Sequence, residues 1–365
     1  MTDVIVVGAG VGGLAASAAL GRAGFKVELR ERAPELREVG AGLQISANGR
    51  RVLNELEVEV RGAVPAEGTL ILDGRKGREV KQIRPHPKLP TLFLHRADLV
   101  DALWGAAARA GVRFRFGHET SLAEMKGEAA EGRIVVAADG VRSAARQWVD
   151  GPSQAHFTGQ VAWRATVPSD ATDAMARLWM GPGMHVVSYP IRNGHLTNIV
   201  AVEERRDWTE EGWSIPGDPE EFQSRFKWFG GDLEPLLASV TEVHRWALFL
   251  HPVAQRWSRD RLCLLGDAAH PTLPFMAQGA NLALEDAALL ARALKDEPRV
   301  EDAFARYQHK RRDRAVRIVA EARKNAFRFH LRGPLRPLGQ MVLQRAGGLV
   351  SPDLAWIYDY DATRA

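Results

Sequence analysis

The chain has 365 residues, more than one compact domain usually holds, so a large domain with a smaller companion is expected. Hydrophobic residues at 45% and charged residues at 26% exclude a disordered or fibrous chain. The single cysteine, Cys263, excludes an internal disulfide framework and fits a reducing, cytoplasmic setting, and the net charge of +4 is too mild to call for nucleic acid as a partner.

The apolar start from Val4 to Leu20 lacks a basic leader and is interrupted by glycines, so it reads as a buried strand and helix, not a signal or membrane segment. Val4 to Val7 are continuous and β-branched, as in a strand covered on both faces. An Ala-rich helix runs from Leu14 to Arg22, Gly24 ends it, and Phe25 to Arg30 make the next strand. Residues 43–56 read as strand, turn and helix, and residues 69–94 as turns and short strands broken by Pro85, Pro87 and Pro90. A helix over Ala97–Ala110 and strands at Val112–Phe116 and Arg133–Ala138 follow. From Gln160 to Val202 the pattern alternates as in strands, residues 219–239 look helical, and Val243–Leu250 is again strand-like. Cys263 falls in a buried strand, Arg261–Leu265, as a small core residue. Helices are expected over Gln278–Leu294 and about Val300–His330, then a tail opened by Pro334 and Pro337. Basic residues of the last helix, Lys310, Arg311, Arg312, Arg314, Arg317, Arg323, Lys324, Arg328 and Arg332, with Arg336 beyond it, are expected on a solvated face.

Three strand ends carry chemistry. Gly8-x-Gly10-x-x-Gly13 follows a strand and opens a helix, with Val11 and Gly12 inside the turn. Its glycines suit a tight turn, close approach of a pyrophosphate and close helix packing. The helix start offers free N–H groups to phosphate, and Glu31, beside Arg32, ends the second strand where a ribose hydroxyl would lie. Gly266-Asp267 ends another buried strand, where a carboxylate can bond a ribitol or ribose. Gln278-Gly279-Ala280-Asn281 heads a long helix, whose amides can stabilise negative charge on a reduced flavin ring. His270, nearby, is read as structural. Asp139-Gly140 ends the third strand in a turn that is generic by itself. A chain that returns this late to one nucleotide site fits a flavin better than a nicotinamide alone. No metal site is read.

These motifs resemble the single-component (class A) flavoprotein aromatic hydroxylases, the class typified by para-hydroxybenzoate hydroxylase. They occur in order: Gly8-x-Gly10-x-x-Gly13 with Glu31 and Arg32; Ala138-Asp139-Gly140-x-x-Ser143-x-x-Arg146; and Gly266-Asp267-Ala268-Ala269-His270-Pro271-x-x-Pro274-x-x-x-Gln278-Gly279-Ala280-Asn281. Local wording is closest to salicylate hydroxylase, 3-hydroxybenzoate 6-hydroxylase and 6-hydroxynicotinate 3-monooxygenase, in Gly40-Ala41-Gly42-Leu43-Gln44-Ile45, His95-Arg96-Ala97-Asp98-Leu99, Gln278 to Asp286 and Trp356-Ile357-Tyr358.

The resemblance implies an α/β fold: a discontinuous, Rossmann-like FAD-binding domain (residues 1–70, 95–155 and 255–320) around a β-rich substrate domain (71–94 and 156–254). A C-terminal helix and tail (321–365) complete it. It implies FAD held by the glycine turn, Glu31, Arg32, Gly42, Arg96, Asp139, Asp267 and the backbone of Gly279, Ala280 and Asn281, with Pro274 against the reactive edge of the ring. It further implies NADH or NADPH as co-substrate, O2, and oxygen transfer through a flavin C4a-hydroperoxide to a small phenolic aromatic or heteroaromatic carboxylate. The protein would be a monomer or homodimer. A phenol reacts best as phenolate, so a base is wanted. His185, Tyr189 and His195 are candidates on the inserted domain, His185 first, with Arg164 suited to a carboxylate.

Two departures stand out. The stretch between Phe116 and Arg133 is shorter than in those relatives, and Gln44 and Trp163 stand where the hydroxynicotinate enzyme would carry histidines. A flavin dehydrogenase or reductase on the same scaffold, without oxygen insertion, remains the alternative. Behind it stand a non-catalytic nucleotide-fold protein and a plain NAD-dependent dehydrogenase.

Overall fold

The computed structural model describes residues 3–36, 42–205, 208, 215–333, 339, 341 and 354–365. Gly40, Ala41, Pro334, Arg336 and Pro337 lie outside them. In chain order the elements begin β1 (Val4–Val7), α1 (Val11–Arg22), β2 (Val27–Arg30), β3 (Gly42–Ile45), α2 (Ala47–Glu55), β4 (Val64–Pro65), β5 (Gly68–Asp73), β6 (Glu79–Ile83) and β7 (Leu92–His95). Then come α3 (Arg96–Arg109), β8 (Arg113–Arg115), α4 (Leu122–Ala130), β9 (Ile134–Ala137), α5 (Ala144–Asp150), β10 (His156–Pro168), β11 (Met175–Gly181), β12 (Met184–Ile191) and β13 (Leu196–Glu204). The rest are β14 (Ile215–Gly217), α6 (Pro219–Phe226), α7 (Leu233–Ala238), β15 (Val243–Leu250), β16 (Ser258–Arg259), β17 (Leu262–Leu264), α8 (Gly279–Asp296), α9 (Val300–Arg328) and α10 (Ala355–Tyr358).

A six-stranded sheet runs β16-β17-β9-β1-β2-β8, parallel except for the β16–β17 edge pair. Its central strands are fully buried, because α1 and its neighbours cover both faces, and that explains the unbroken apolar runs. Small residues on α1 (Ala15, Ala16, Ala18, Ala19) let α8 and α3 pack close. β17 reaches this sheet from the far end of the chain and pairs with β9, which is how Asp267 arrives beside the N-terminal glycines.

The eight-stranded sheet runs β14-β15-β10-β13-β12-β11-β5-β6, antiparallel except for β11 with β5. Period-two alternation gives it two distinct faces. Val161, Trp163, Ala165, Trp179, Val186, Ile199 and Ala201 pack on one face under Phe222, Phe226 and Leu233 of α6 and α7. The opposite face carries Arg164, His185, Tyr189, Asn198 and Trp246 by register. A three-stranded sheet, β3-β7-β4, bridges the two. No helix among the described residues is long and apolar enough to cross a membrane.

Two sequence expectations need correction, and one stretch without an expected element gains a helix. Residues 219–239 form two short helices, because Gly230 and Gly231 interrupt the apolar period. The shortened stretch before β9 is filled by α4, whose Ser121 Oγ accepts from Glu124 N–H at 3.2 Å. Its Glu124 and Glu128 then take the buried Arg30 guanidinium at 2.9 and 2.7 Å. The last long helix is not basic on a solvated face alone: Arg311 is fully buried and Arg314 nearly so. Both are drawn inward by carboxylates of α8.

Candidate active site

The glycine turn forms as its spacing requires. Gly8 has φ +103°, and a Cβ there would lie 2.5 Å from the Ala138 carbonyl oxygen. A Cβ on Gly13 would come within 1.9 Å of the Gly8 oxygen, and one on Gly12 within 2.8 Å of Leu265 Cδ2. At Gly10 a Cβ would meet nothing within 4 Å, so the one glycine not enforced by protein neighbours is the one that faces the crevice. That open cradle at the start of α1, which has no side-chain cap, fits a pyrophosphate on free amides of Val11 and Gly12. Glu31 accepts from Ala9 N–H at 2.7 Å and from Ala33 N–H at 2.9 Å, which sets its carboxylate against the turn. Arg32 is exposed next to it.

Across the same crevice, β17 ends in Gly266-Asp267. Asp267 is half-buried. Burial pushes its carboxyl up, against the pull of His270 and of Arg96, which starts α3. α8 then begins at Gly279 with no side-chain cap, so its first amides at Gly279, Ala280 and Asn281 are spare donors at the positive end of an 18-residue helix. The Asn281 side chain is committed elsewhere. Its Oδ1 accepts from Ser46 N–H at 3.0 Å, and its Nδ2 donates to the Gln44 and Ala277 carbonyls at 3.0 and 2.8 Å. Pro274 is exposed in the turn leading to α8.

Asp139 ends β9. Its Oδ2 accepts from Ala144 N–H at 3.1 Å, whereas Oδ1 is buried with no hydrogen bond among the described residues. Burial raises its pKa. The Ser143 hydroxyl and the amides that start α5 act against that rise, so the carboxylate shapes the turn beside Gly8.

Behind these groups lies a cluster the sequence did not disclose. Asp286 accepts from Arg311 Nε at 2.6 Å and from Gly266 N–H at 3.1 Å, and lies 2.6 Å from His270 Nε2. Burial alone would raise Asp286, but His270 and Arg311 hold it down, at about 2. Glu285 takes Arg311, Arg314 and Asn48. His270 is therefore a structural partner of Asp286, as read from its setting.

The open face of the eight-stranded sheet closes the other side. Gly42 N–H donates to Asn198 Oδ1 at 2.7 Å, and Gly42 lies so close under Tyr189 that a Cβ would meet the ring at 2.6 Å. Gly42 thus spends its amide on joining β3 to the sheet. Asn198 Nδ2 is buried without a partner among the described residues. Tyr189 packs on Phe93 at 5.1 Å between ring centres, and burial raises its phenol well above the ordinary range.

Arg164, on the same face, stands 5.4 Å from the Trp246 ring centre. Among the described residues its guanidinium has no hydrogen bond or ion pair. Its pKa is lowered by burial and by the charge of Arg96. His185 is 2% exposed, with the Phe275 ring 5.4 Å away and His330 Nε2 2.7 Å from its Nδ1. Burial and the neighbouring His330 hold its pKa well below the usual histidine value, so it is neutral. His195 is exposed in the turn before β13 and stands apart from this face. Trp163 turns to the covered face, where its Nε1 donates to Glu203 at 3.1 Å.

Comparison with known proteins accords with this geometry. The FAD binding domain family matches residues 1–322. The chain is 34% identical over 93% of its length to 3-hydroxybenzoate 6-hydroxylase of Klebsiella oxytoca, of which 91% is covered. It is 32% identical over 98% of its length to the 3-amino-4-hydroxybenzoate 2-monooxygenase PtnB3 of Streptomyces platensis, of which 96% is covered. Among solved structures, a salicylate hydroxylase substrate complex superposes with a TM-score of 0.81 at 23% identity, over 99% of this chain and 96% of that one. Klebsiella pneumoniae HpxO with FAD and uric acid gives 0.81 at 24% identity, over 95% and 94%. The chain belongs to the FAD binding domain family, as a flavoprotein monooxygenase of the single-component aromatic hydroxylase class.

Proposed function

We propose that this enzyme uses NAD(P)H and O2 to hydroxylate a small phenolic aromatic carboxylate, a hydroxybenzoate or a close heteroaromatic relative. The observation that carries the substrate class is Arg164. A half-buried cation with an indole face beside it, the like charge of Arg96 acting on it and, among the described residues, no carboxylate paired to it is completed by a ligand anion. A carboxylate can do so through two parallel N–H···O bonds. The relatives named for hydroxybenzoates support the same class.

Bound FAD supplies electron transfer from NAD(P)H and delivery of one oxygen atom from O2 to the ring. The protein's part is binding, orientation and dryness. Gly8, Gly10, Val11, Gly12 and Gly13 hold the pyrophosphate; Glu31 and Arg32 hold the adenosine end. Asp267 and Arg96 take the ribityl and phosphate region, and Asp139 adds an acceptor. The amides of Gly279, Ala280 and Asn281, at the positive end of α8, would favour negative charge on a bound flavin, and Pro274 would line its edge. Neutral His185 accepts the phenol proton, leaving an electron-rich ring to be attacked. Tyr189 and Asn198, fixed through Gly42, wall the cavity and exclude water.

In this reading the FAD domain is discontinuous around the eight-stranded sheet, the protein works in the cytoplasm, and it is a monomer or homodimer. A panel of hydroxybenzoates, hydroxynicotinates and bicyclic phenols tests it, with substrate-stimulated NADH and NADPH oxidation and product mass measured for each. A product heavier by one oxygen from a phenolic acid, with no stimulation by the matching uncharged phenol, is expected. Equal stimulation by the uncharged phenol contradicts the role of Arg164.

A further inference from the structure

His185 does not end in an apolar core. Its Nδ1 lies 2.7 Å from Nε2 of His330, just past the end of α9, and both rings are buried. The far nitrogen of His330, Nδ1, has two neighbours of opposite character. Glu204 Oε1, an acceptor, lies 3.3 Å away, and the Gln160 amide nitrogen, a donor, lies 3.1 Å away. Glu204 closes β13, and its side chain is 38% exposed and paired with Arg332. Phe329 and Phe275 flank His185, Met180 and Val202 stand opposite it on the neighbouring strands, Arg332 places a positive charge near His330, and Gly183 N–H donates to the His330 carbonyl. Two histidines and a carboxylate thus lead from the substrate face of the sheet to water.

We propose that His330 and Glu204 form a proton line that carries the phenol proton from His185 to solvent. The proposal rests on the reading of His185 as the base toward a phenolic substrate. Before transfer, His185 carries its proton on Nδ1 and donates it to His330 Nε2, while His330 Nδ1–H donates to Glu204. The phenol O–H bond breaks and an N–H bond forms at His185 Nε2. The His185 Nδ1 proton passes to His330 Nε2, and the His330 Nδ1 proton passes to Glu204 and on to water. Each imidazole ends neutral with its tautomer exchanged, one proton has left, and no electrons move.

The Gln160 amide then donates to the bared His330 Nδ1, so both tautomers of His330 are hydrogen-bonded. A buried ring satisfied in both states pays little to switch between them. Burial lowers His330 to about 4 against the pull of Glu204, so neither ring stores a charge at neutral pH and the proton is handed through. His330 acts through His185 and is a positioning and relay residue, not one that touches substrate.

The test is proton release on binding, which needs no turnover. Oxidised, FAD-loaded protein is mixed rapidly with 3-hydroxybenzoate in weak buffer with a pH indicator. Wild-type protein is expected to release a proton as the phenol binds. His330→Gln, which keeps a hydrogen bond but cannot relay, is expected to slow release at least about tenfold at neutral pH. The gap should close as pH nears the phenol's own pKa, where phenolate binds directly. Glu204→Gln should slow release less, since water can reach His330 Nδ1 from the same side. FAD content and the affinity for benzoate, which lacks the hydroxyl, should match wild type in both variants. Release by His330→Gln at the wild-type rate overturns the line, and so does a loss of the same factor at every pH, the mark of packing damage. Wild-type protein that binds 3-hydroxybenzoate without releasing a proton, or does not bind it, contradicts instead the underlying reading of His185 and its phenolic substrate.

Discussion

Behind the nucleotide turn, Asp286, Glu285, Arg311 and Arg314 are paired with one another, and Asp286 also holds His270 and the Gly266 amide. Across the crevice and among the described residues, Arg164 faces the Trp246 ring and the like charge of Arg96 with no carboxylate paired to it, Asn198 Nδ2 has no partner, and His185 is joined to a second histidine. The first cluster is completed by the protein, and its charges fix where β17 and α8 meet α9. The second is left incomplete by the protein, and its polar groups have capacity for a ligand. A buried charge matched within the chain marks architecture, and one left unmatched on a cavity face marks a site.

The contrast can be broken most severely at Arg311. Arg311→Met leaves Glu285 and Asp286 buried without their main cation and should cost about 3–5 kcal/mol in denaturant unfolding. A loss under about 1 kcal/mol would mean that the cluster is not closed as described. Arg164→Gln should behave oppositely. Unfolding should be unchanged or slightly improved, whereas KM for the phenolic acid should rise about ten- to a hundredfold, as expected for loss of a charge-assisted bond. An unchanged KM would remove Arg164 from substrate binding.

A titration sharpens the same comparison. Asp286 is held at about 2 in the folded protein, below its ordinary value of 3.8. The stability it contributes is therefore present above pH 4 and is lost as pH falls through about 2. The loss should be about 2 kcal/mol and should show in unfolding midpoints measured between those pH values. His270→Phe should narrow it, because one of the two groups holding Asp286 down is gone. An unaltered acid limb would contradict the coupling. A similarly small stability effect is expected at Gly10→Ala. With nothing within 4 Å of the added Cβ and an ordinary extended backbone, unfolding should shift by less than about 0.5 kcal/mol. Yet FAD affinity measured by flavin fluorescence should fall, since the methyl would occupy the pyrophosphate cradle. Gly10→Ala with unchanged FAD affinity would move the phosphate site.

The parts legible in the sequence are those that local physics dictates. Val4–Val7 had to be a doubly covered strand, and the crowding that keeps Gly8 and Gly13 free of a side chain is present, whereas Gly10 has open space before it and its pyrophosphate role is a proposal. α4 was announced only by the capping pair Ser121 and Glu124, a short signal easily passed over in a nine-residue helix. Arg311 looked like one more charge on a basic helix, and nothing local distinguishes it from Arg312. Its burial is decided by Glu285 and Asp286, on another helix. His330 carried no local signal at all, because its meaning comes from His185, Gln160 and Glu204, which only the folded sheet brings to it.

The account stands or falls on whether oxygen from O2 reaches the ring of a phenolic acid bound beside Arg164. Turnover of 3-hydroxybenzoate with NADH or NADPH under oxygen-18 gas measures this directly by product mass. The account predicts a hydroxylated product carrying one oxygen-18 atom, formed by wild-type protein and strongly reduced in Arg164→Gln at low substrate. Nicotinamide oxidation that yields only hydrogen peroxide or a reduced acceptor, with no labelled aromatic product, would contradict it and favour the dehydrogenase or reductase alternative.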